Sequence, residues 1–104
     1  MALHRRIDFD SLTWQSPMGG LRFKAYEHEG KRLRLVEYTM QMEPHWCEKG
    51  HIGLLLEGRL QIRFAHEGQV YQAGDGIWIP SGPDHKHMAT ALTDVVRVVF
   101  VEDL

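Results

Sequence analysis

Histidine and cysteine side chains are concentrated in two short windows of this sequence. The first window contains His45, Cys47 and His51, and the second contains His85 and His87. Imidazole and thiolate groups are the protein ligands that borderline transition metals such as zinc prefer. The two windows therefore predict a metal site, provided that the fold brings them together.

The spacing within the windows has a structural interpretation. His45 and Cys47 are two residues apart, so both side chains project from the same face of an extended chain. Gly50 allows the chain to bend before His51, which can begin the next strand and return toward that face. His85 follows a turn that contains proline and glycine, which can direct it from another strand. Ligands from separate strands would then converge in the mouth of a barrel.

The same residues have other interpretations. The histidines could be polar groups that line an empty or ligand-filled cavity, and a free cysteine such as Cys47 is often a small buried apolar residue. His87, on the same strand face as His85, could be a further ligand, a proton donor or a polar group at the mouth of the barrel. If Cys47 does bind a metal, its thiolate favours Zn, Fe, Ni or Cu over Mn or Mg.

The chain around these windows alternates between polar and apolar residues, as strands with one solvent-exposed face do. Residues 59–64 alternate without interruption, and residues 31–42 alternate less regularly. Residues 95–101 are rich in β-branched side chains, which is typical of a strand covered on both faces. Shorter strands are predicted at residues 70–71, 77–79 and 86–91, and one helical turn near residues 8–12. Glycine-containing turns separate these segments, so the pattern predicts an all-β sandwich or barrel.

Length and composition restrict the class of protein. The 104 residues correspond to a single domain, residues 1–104. An apolar fraction of 43% and a charged fraction of 25% are close to the averages of globular proteins, which excludes a disordered or collagen-like chain. A net charge of -2 gives no large excess of positive charge for nucleic acid. The basic residues 31–34 are therefore interpreted as an exposed strand face.

Membrane and secreted classes are also disfavoured. The most apolar stretches, residues 52–56 and 95–101, are far shorter than the roughly 20 residues that span a bilayer. No hydrophobic run follows the charged N-terminal residues, so no secretory signal is predicted, and the single cysteine cannot form an intramolecular disulfide. We therefore expect a cytoplasmic protein without membrane or nucleic-acid partners.

The two windows also resemble the two sequence motifs of the cupins. The first cupin motif contains a glycine, a His-x-His pair, a glutamate and a second glycine; the second contains a glycine, a Pro-x-Gly turn, a histidine and an asparagine. The matching positions in this sequence are, in the first motif, His45, Cys47, His51 and Gly58, and, in the second, Gly74, Pro80, Gly82 and His85. The resemblance covers residues 45–89 and implies an antiparallel jelly-roll β-barrel of about eight to ten short strands.

Four positions depart from the cupin motifs. Cys47 stands in place of the second histidine and His51 in place of the glutamate. Thr39 and Ala89 replace the opening glycine and the closing asparagine. The two replacements at ligand positions keep an atom that can bind a metal. The resemblance therefore implies that a divalent transition metal, with Zn, Fe or Ni ahead of Cu, is held by His45, Cys47, His51 and His85.

Two classes of function remain open. The resemblance implies a metal-binding protein that binds or acts on a small organic molecule, with dioxygenase, isomerase or lyase chemistry if it is an enzyme. Three histidines with a free coordination position would suit catalysis by Fe or Ni, whereas a closing thiolate would suit structural Zn. The alternative is a non-catalytic module that binds or senses a sugar or an organic acid without a metal. In either class we expect a homodimer, because association would cover the exposed edges of a small barrel.

Overall fold

Nine strands, all paired in antiparallel fashion, build the described part of the chain, residues 3–104 of a computed structural model. They are β1 (Gln15–Met18), β2 (Leu21–His28), β3 (Lys31–Thr39), β4 (His51–Glu57), β5 (Arg59–Arg63), β6 (Gly68–Gln72), β7 (Gly76–Ile79), β8 (Met88–Ala91) and β9 (Val95–Asp103). Two one-turn 3₁₀ helices, Phe9–Ser11 and Pro83–His85, accompany them, and no helix within residues 3–104 is long and apolar enough to cross a membrane. The predicted antiparallel all-β jelly-roll barrel is confirmed, and the number of strands lies in the predicted range.

The strands form two sheets whose inner faces share one core. The larger sheet has the order β1-β2-β3-β9-β4-β7, and the smaller has the order β6-β5-β8. β3 pairs along its whole length with β9, from Lys31 opposite Asp103 to Thr39 opposite Val95. β4 pairs with the other side of β9. Inward-facing residues of β3, β9 and β4 therefore line the same region of the barrel.

Alternation along each strand directs one set of side chains into this core. Val36, Leu55 and Val98 of the larger sheet are 0% exposed, and Leu60 and Ile62 of the smaller sheet are at most 2% exposed. The last two are the apolar residues of the predicted strand at 59–64. Burying each such side chain stabilises the fold by about 1.5–3 kcal/mol. The hydrophobic contact between the sheets thus holds the barrel closed.

β9 differs in one respect from its prediction. Its inward residues Val96, Val98 and Phe100 are buried, but Val101 on the outer face is 43% exposed. The prediction that residues 95–101 are covered on both faces is therefore wrong at this end of the strand. The physical reason is that β-branched residues also suit the half-exposed face of a pleated sheet, so their presence does not by itself indicate burial.

A short N-terminal segment is attached to β2. Its 3₁₀ helix lies at the predicted helical position, and the Asp8 carboxylate accepts a hydrogen bond from the Asp10 N–H at 3.2 Å. Lys24 of β2 donates from Nζ to the Phe9 carbonyl at 2.8 Å and lies 4.9 Å from the centre of the Trp14 ring. These contacts fix the segment without adding a strand to the sheet.

Candidate metal centre

Cys47, His51 and His87 bring three potential metal ligands together inside the barrel. The Cys47 Sγ atom and one ring nitrogen of each histidine all lie within 4.8 Å of one another. His51 begins β4, Cys47 lies in the loop that precedes it, and His87 lies directly before β8. The cluster is therefore assembled from segments that are far apart in the sequence.

A pair of backbone hydrogen bonds fixes Cys47 beside His87. The Cys47 N–H donates to the His87 carbonyl at 2.8 Å, and the His87 N–H donates to the Cys47 carbonyl at 2.9 Å. Residues that exchange both bonds in an antiparallel pair project their side chains from the same face. This bridge therefore directs the thiol and the imidazole to the same side of the chain.

Glu102 of β9 orients the ring of His51. The His51 Nδ1 atom lies 2.5 Å from the Glu102 Oε2 atom, and the side chain of Glu102 is 0% exposed. Burial alone would raise the pKa of Glu102, but hydrogen bonding to His51 and the charge of Arg34 outweigh it and lower that pKa to about 2. The group is thus a carboxylate that accepts the Nδ1 proton. The Nε2 atom of His51 is left for a ligand, as in many metal-binding histidines.

His87 is oriented in a similar way. Its Nδ1 atom lies 3.1 Å from the carbonyl oxygen of His85, which fixes the proton on that nitrogen. Its Nε2 atom is buried and has no hydrogen-bond partner. A buried polar atom without a partner costs about 1–3 kcal/mol. A buried ring nitrogen of this kind, beside a thiol and a second imidazole, is suited to bind a metal ion.

The thiol of Cys47 has the acidity that a metal ligand requires. Hydrogen bonding to His51 is the main cause, and together with the neighbouring polar groups it outweighs burial and lowers the pKa of Cys47 to about 5. Cys47 is therefore a thiolate at neutral pH, which is the form that binds metals.

The cluster lies in a cavity of about 200 Å³. Apolar and aromatic side chains form much of the wall, and polar and charged groups complete it. The lining residues outside the cluster are Leu21, Arg32, Arg34, Tyr38, Met42, His45, Lys49, Leu60, Ile62, Ile79, Ala89 and Phe100. Burial raises the pKa of Tyr38 to about 12, so its hydroxyl is neutral. The volume is below the range typical of drug-sized ligands, so the cavity suits a small molecule.

Of the four predicted ligands, the structure brings two, Cys47 and His51, into the cluster. His45 lines the same cavity, but it is exposed, and its Nδ1 atom contacts the Glu43 carbonyl at 3.2 Å. Its ring could reach a ligand in the cavity without belonging to the close cluster. Metal binding by His45, Cys47 and His51 stays a prediction.

The fourth predicted ligand, His85, lies elsewhere. It is exposed at the end of the 3₁₀ helix Pro83–His85, and within residues 3–104 it is part of neither the close cluster nor the cavity wall. His87 occupies the cluster in its place. The helical turn interrupts the period-two alternation of a strand, so the prediction that His85 and His87 share a strand face is wrong. The backbone carbonyl of His85 accepts a hydrogen bond from the Nδ1–H of His87.

Sequence reasoning missed three charged residues of the site. Glu102 was not singled out, and Arg32 and Arg34 were interpreted as part of an exposed face, which is wrong: their side chains are 18% and 12% exposed and bind Glu102. The alternation along β3 could have indicated that these arginines face inward, because both lie on the same strand face as Val36 and Tyr38, which are buried.

These donors fit a transition metal. One thiolate and two imidazoles match the ligands of Zn. Around one tetrahedral ion with bonds of about 2.0–2.3 Å the ligand atoms are about 3.3–3.6 Å apart, so side chains held within 4.8 Å of one another would close in slightly to bind it. Both histidines have an acceptor at Nδ1, so Nε2 is the nitrogen that would bind an ion. Three protein ligands would leave a coordination position for a water or substrate molecule, as catalytic rather than structural sites do.

No protein-family model matches the sequence, and no curated protein matches it. Solved structures are similar in fold. KdgF from Halomonas sp. has a TM-score of 0.75 at 22% identity, over 90% of this chain and 89% of that one. The cupin domain of Cnp3 from Schizosaccharomyces pombe has a TM-score of 0.77 at 13% identity, over 95% of this chain and 73% of that one. The Fe(II) form of HppE has a TM-score of 0.76 at 11% identity, over 92% of this chain and 58% of that one.

At sequence identities of 11–22%, these similarities establish a shared fold but not a shared chemistry. The similarity nevertheless spans nearly the whole chain, and one of these structures is itself a cupin domain. The fold of this protein is therefore the cupin fold, in agreement with the resemblance of its two motifs.

Proposed function

We propose that the protein binds one divalent transition metal ion through Cys47, His51 and His87 and acts on a small organic molecule in the adjoining cavity. The observation that carries this proposal is the close cluster itself, in which the Cys47 Sγ atom and a ring nitrogen of each histidine lie within 4.8 Å of one another. His45, at the exposed side of the same cavity, is the candidate for a fourth ligand. The proposed set therefore replaces His85 by His87.

The choice of metal follows from the donors. A thiolate with two imidazoles favours Zn, Fe, Ni or Cu over Mn or Mg. The Fe(II) form of HppE, which shares the fold, supports iron as one of these candidates. The pKa of Cys47 is lowered to about 5, so its thiolate is available near pH 7. Burial acts to lower the pKa of His51, but hydrogen bonding to Cys47 and Glu102 outweighs it and raises that pKa above 6.5, so binding of an ion by His51 would release a proton.

The residues of this chain would prepare the site for chemistry. A bound ion would supply Lewis acidity, polarising a carbonyl group or lowering the pKa of a water molecule. The Glu102 carboxylate accepts a hydrogen bond from the Nδ1–H of His51 and thereby fixes the orientation of its ring. The neutral hydroxyl of Tyr38 can donate a hydrogen bond to a ligand, and the side chains of Ile79 and Phe100 present apolar surface to it. Dioxygenase, isomerase and lyase reactions all remain compatible with this arrangement.

Metal analysis of matched histidine variants tests the proposal. Protein purified without a histidine tag, loaded with Zn²⁺ and dialysed, should hold about one ion per chain by plasma mass spectrometry. His51→Ala and His87→Ala should lose the ion. His85→Ala and the exposed control His66→Ala should retain it, because neither imidazole lies in the cluster.

Two results would contradict the proposal. Retention of the metal in His87→Ala with loss in His85→Ala would favour the ligand set that the motifs imply. A wild-type protein that retains no ion would favour the second candidate function, a metal-free module that binds a sugar or an organic acid. One observation supports that candidate: hydrogen bonding between Cys47 and His51 can stabilise a thiolate–imidazolium pair without an ion.

We also propose that the protein is a cytoplasmic homodimer. β1 and β7 are the edge strands of the larger sheet, and association of two copies would cover such edges. Sedimentation velocity should then give twice the monomer mass of 12.1 kDa. A monomer at all accessible concentrations would contradict the homodimer.

A further inference from the structure

Two arginines point into the cavity from β3. Arg32 and Arg34 alternate with outward residues, so they lie on the inner face with Val36. Their side chains are 18% and 12% exposed, and both line the cavity that holds the metal cluster. Arginine is seldom this deeply buried unless anions neutralise it.

The protein itself supplies little negative charge to these arginines. They share one buried carboxylate: Arg32 Nη2 lies 2.8 Å from Oε1 of Glu102, and Arg34 Nη2 lies 2.6 Å from Oε2. The second carboxylate near Arg32, on Glu27, is 3.9 Å away and about half exposed. Two guanidinium groups and the His51 ring thus compete for a single carboxylate.

Arg34 has donor capacity that no protein group uses. Its Nε–H is buried and has no hydrogen-bond partner. The guanidinium carbon lies 4.9 Å from the centre of the Phe23 ring, which restrains the plane of the group. Its Nη2 group already donates to Glu102, so the unpaired Nε–H is a donor that a ligand carboxylate could engage in a charge-assisted hydrogen bond.

The charge of the whole cavity wall points the same way. Lys49 also lines the cavity, whereas no aspartate or glutamate of residues 3–104 does. Three cationic side chains of the wall, Arg32, Arg34 and Lys49, thus stand beside the single buried carboxylate of Glu102. The cavity therefore carries an excess of positive charge, and an anionic ligand would balance it.

We propose that the ligand of this cavity is a small organic carboxylate and that Arg34 is the residue that selects it, an inference that rests on the proposed metal-dependent function for what happens to the bound molecule. Arg34 and His51 contact the same Glu102 oxygen, Oε2. A carboxylate held by Arg34 would therefore place the adjoining atoms of the molecule next to the metal cluster. The cavity volume of about 200 Å³ limits the ligand to a small acid.

Nuclear magnetic resonance titrations of matched acids and amides test this inference. Nitrogen-15-labelled protein, metal-free and Zn-loaded, is titrated with lactate, malonate and benzoate, and with lactamide, malonamide and benzamide. We expect at least one acid to shift the Arg34 Nε–H resonance, and its uncharged amide to bind about tenfold more weakly, because charge-assisted hydrogen bonds are lost. Inorganic phosphate is a further probe, and its binding in preference to all three acids would overturn the carboxylate class.

Three variants test whether Arg34 is the residue that selects the carboxylate. Arg34→Met should weaken binding of the acid by about tenfold or more, since a desolvated charge pair is removed. Arg34→Lys, which keeps the charge but not the planar donor pair, should fall between Arg34→Met and wild type and also covers the case in which Arg34→Met does not fold. Arg63→Met, at an exposed arginine of β5, should bind as wild type does.

Defined outcomes would overturn the inference. Equal affinity for acid and amide, no shift of the Arg34 resonance with any acid, or unchanged affinity in Arg34→Lys and Arg34→Met would each do so. Failure of the metal site appears separately, as missing metal in mass spectrometry. A protein that holds the ion but no carboxylate contradicts the inference alone, and one that binds the acid without an ion contradicts only the proposed metal dependence.

Discussion

Glu102 and His51 lie 51 positions apart in the sequence, yet the Glu102 Oε2 atom is 2.5 Å from the His51 Nδ1 atom. The neighbouring pairing of β4 and β9 produces this contact, since both residues face inward from adjacent strands. The carboxylate is buried and is held in turn by Arg32 and Arg34. It therefore links the metal cluster to the cationic side of the cavity.

Removing this carboxylate should weaken metal binding. In Glu102→Gln the His51 ring loses its anionic acceptor, so we expect the affinity for Zn²⁺ to fall by about 10–100-fold. Competition with a chromophoric chelator measures the change, and circular dichroism verifies the fold. Asp103→Asn, which alters the exposed neighbouring carboxylate on β9, should leave the affinity unchanged. Equal affinities in wild type and Glu102→Gln would show that Glu102 does not position His51.

Binding of the ion should stabilise the folded protein. Zn²⁺ at about 100 times its dissociation constant should raise the melting temperature by roughly 10–20 °C, because the folded state alone has the assembled site. Calorimetric scans before and after treatment with a chelator would show the loss and its reversal. His87→Ala is the matched comparison and should melt at the same temperature with and without Zn²⁺. A wild-type melting temperature that does not change with Zn²⁺ would contradict the proposed metal site.

Stability should fall in acid through an ion-pair cluster on the outer face. Burial acts to raise the pKa of Glu37, but hydrogen bonds from Arg22 and Arg97 outweigh it and hold that pKa below its ordinary value of 4.5. A carboxyl whose pKa is lower in the folded state contributes stability that is fully present above 4.5 and is lost as the pH falls through the lower folded value. Urea titrations of wild type and Glu37→Gln between neutral pH and this range measure the effect. The variant should show the smaller decline, and parallel declines would refute the assignment.

Two adjacent leucines of β4 should differ sharply in their contribution to the core. Leu55 is 0% exposed and Leu56 is 45% exposed. We expect Leu55→Ala to lower the free energy of unfolding by about 2–5 kcal/mol, because it removes packed atoms and leaves a cavity. Leu56→Ala should change it by no more than about 0.5 kcal/mol. Urea unfolding of both variants gives the comparison, and similar losses would mean that the register of β4 is not as described.

Several elements could be predicted because their local pattern is strong. Residues 59–64 alternate regularly and become β5, and the glycine-containing turns separate strands as expected. β2 was not predicted, although its residues alternate in the same manner, with Leu21 and Phe23 inward and Lys24 held by the N-terminal segment. The predicted strand at 31–42 ends early at Thr39, because the Met42 N–H donates to the Thr39 carbonyl and closes a turn.

The candidate site was harder to predict because it depends on pairing across the barrel. The motif positions led to Cys47 and His51, which lie in the cluster. They did not lead to His87, since the 3₁₀ helix that ends at His85 changes which histidine faces inward. Glu102 enters through the register of β9, and no local pattern around residue 102 indicates a partner half the chain away.

X-ray absorption spectroscopy of the Zn-loaded protein tests the metal cluster most directly, because it measures the distances from the ion to the atoms that bind it. We predict one sulfur neighbour at about 2.3 Å and nitrogen neighbours at about 2.0–2.1 Å, with the sulfur signal lost in Cys47→Ala and one nitrogen lost in His87→Ala. A zinc environment without sulfur, or one that is identical in wild type and His87→Ala, would contradict binding by Cys47, His51 and His87.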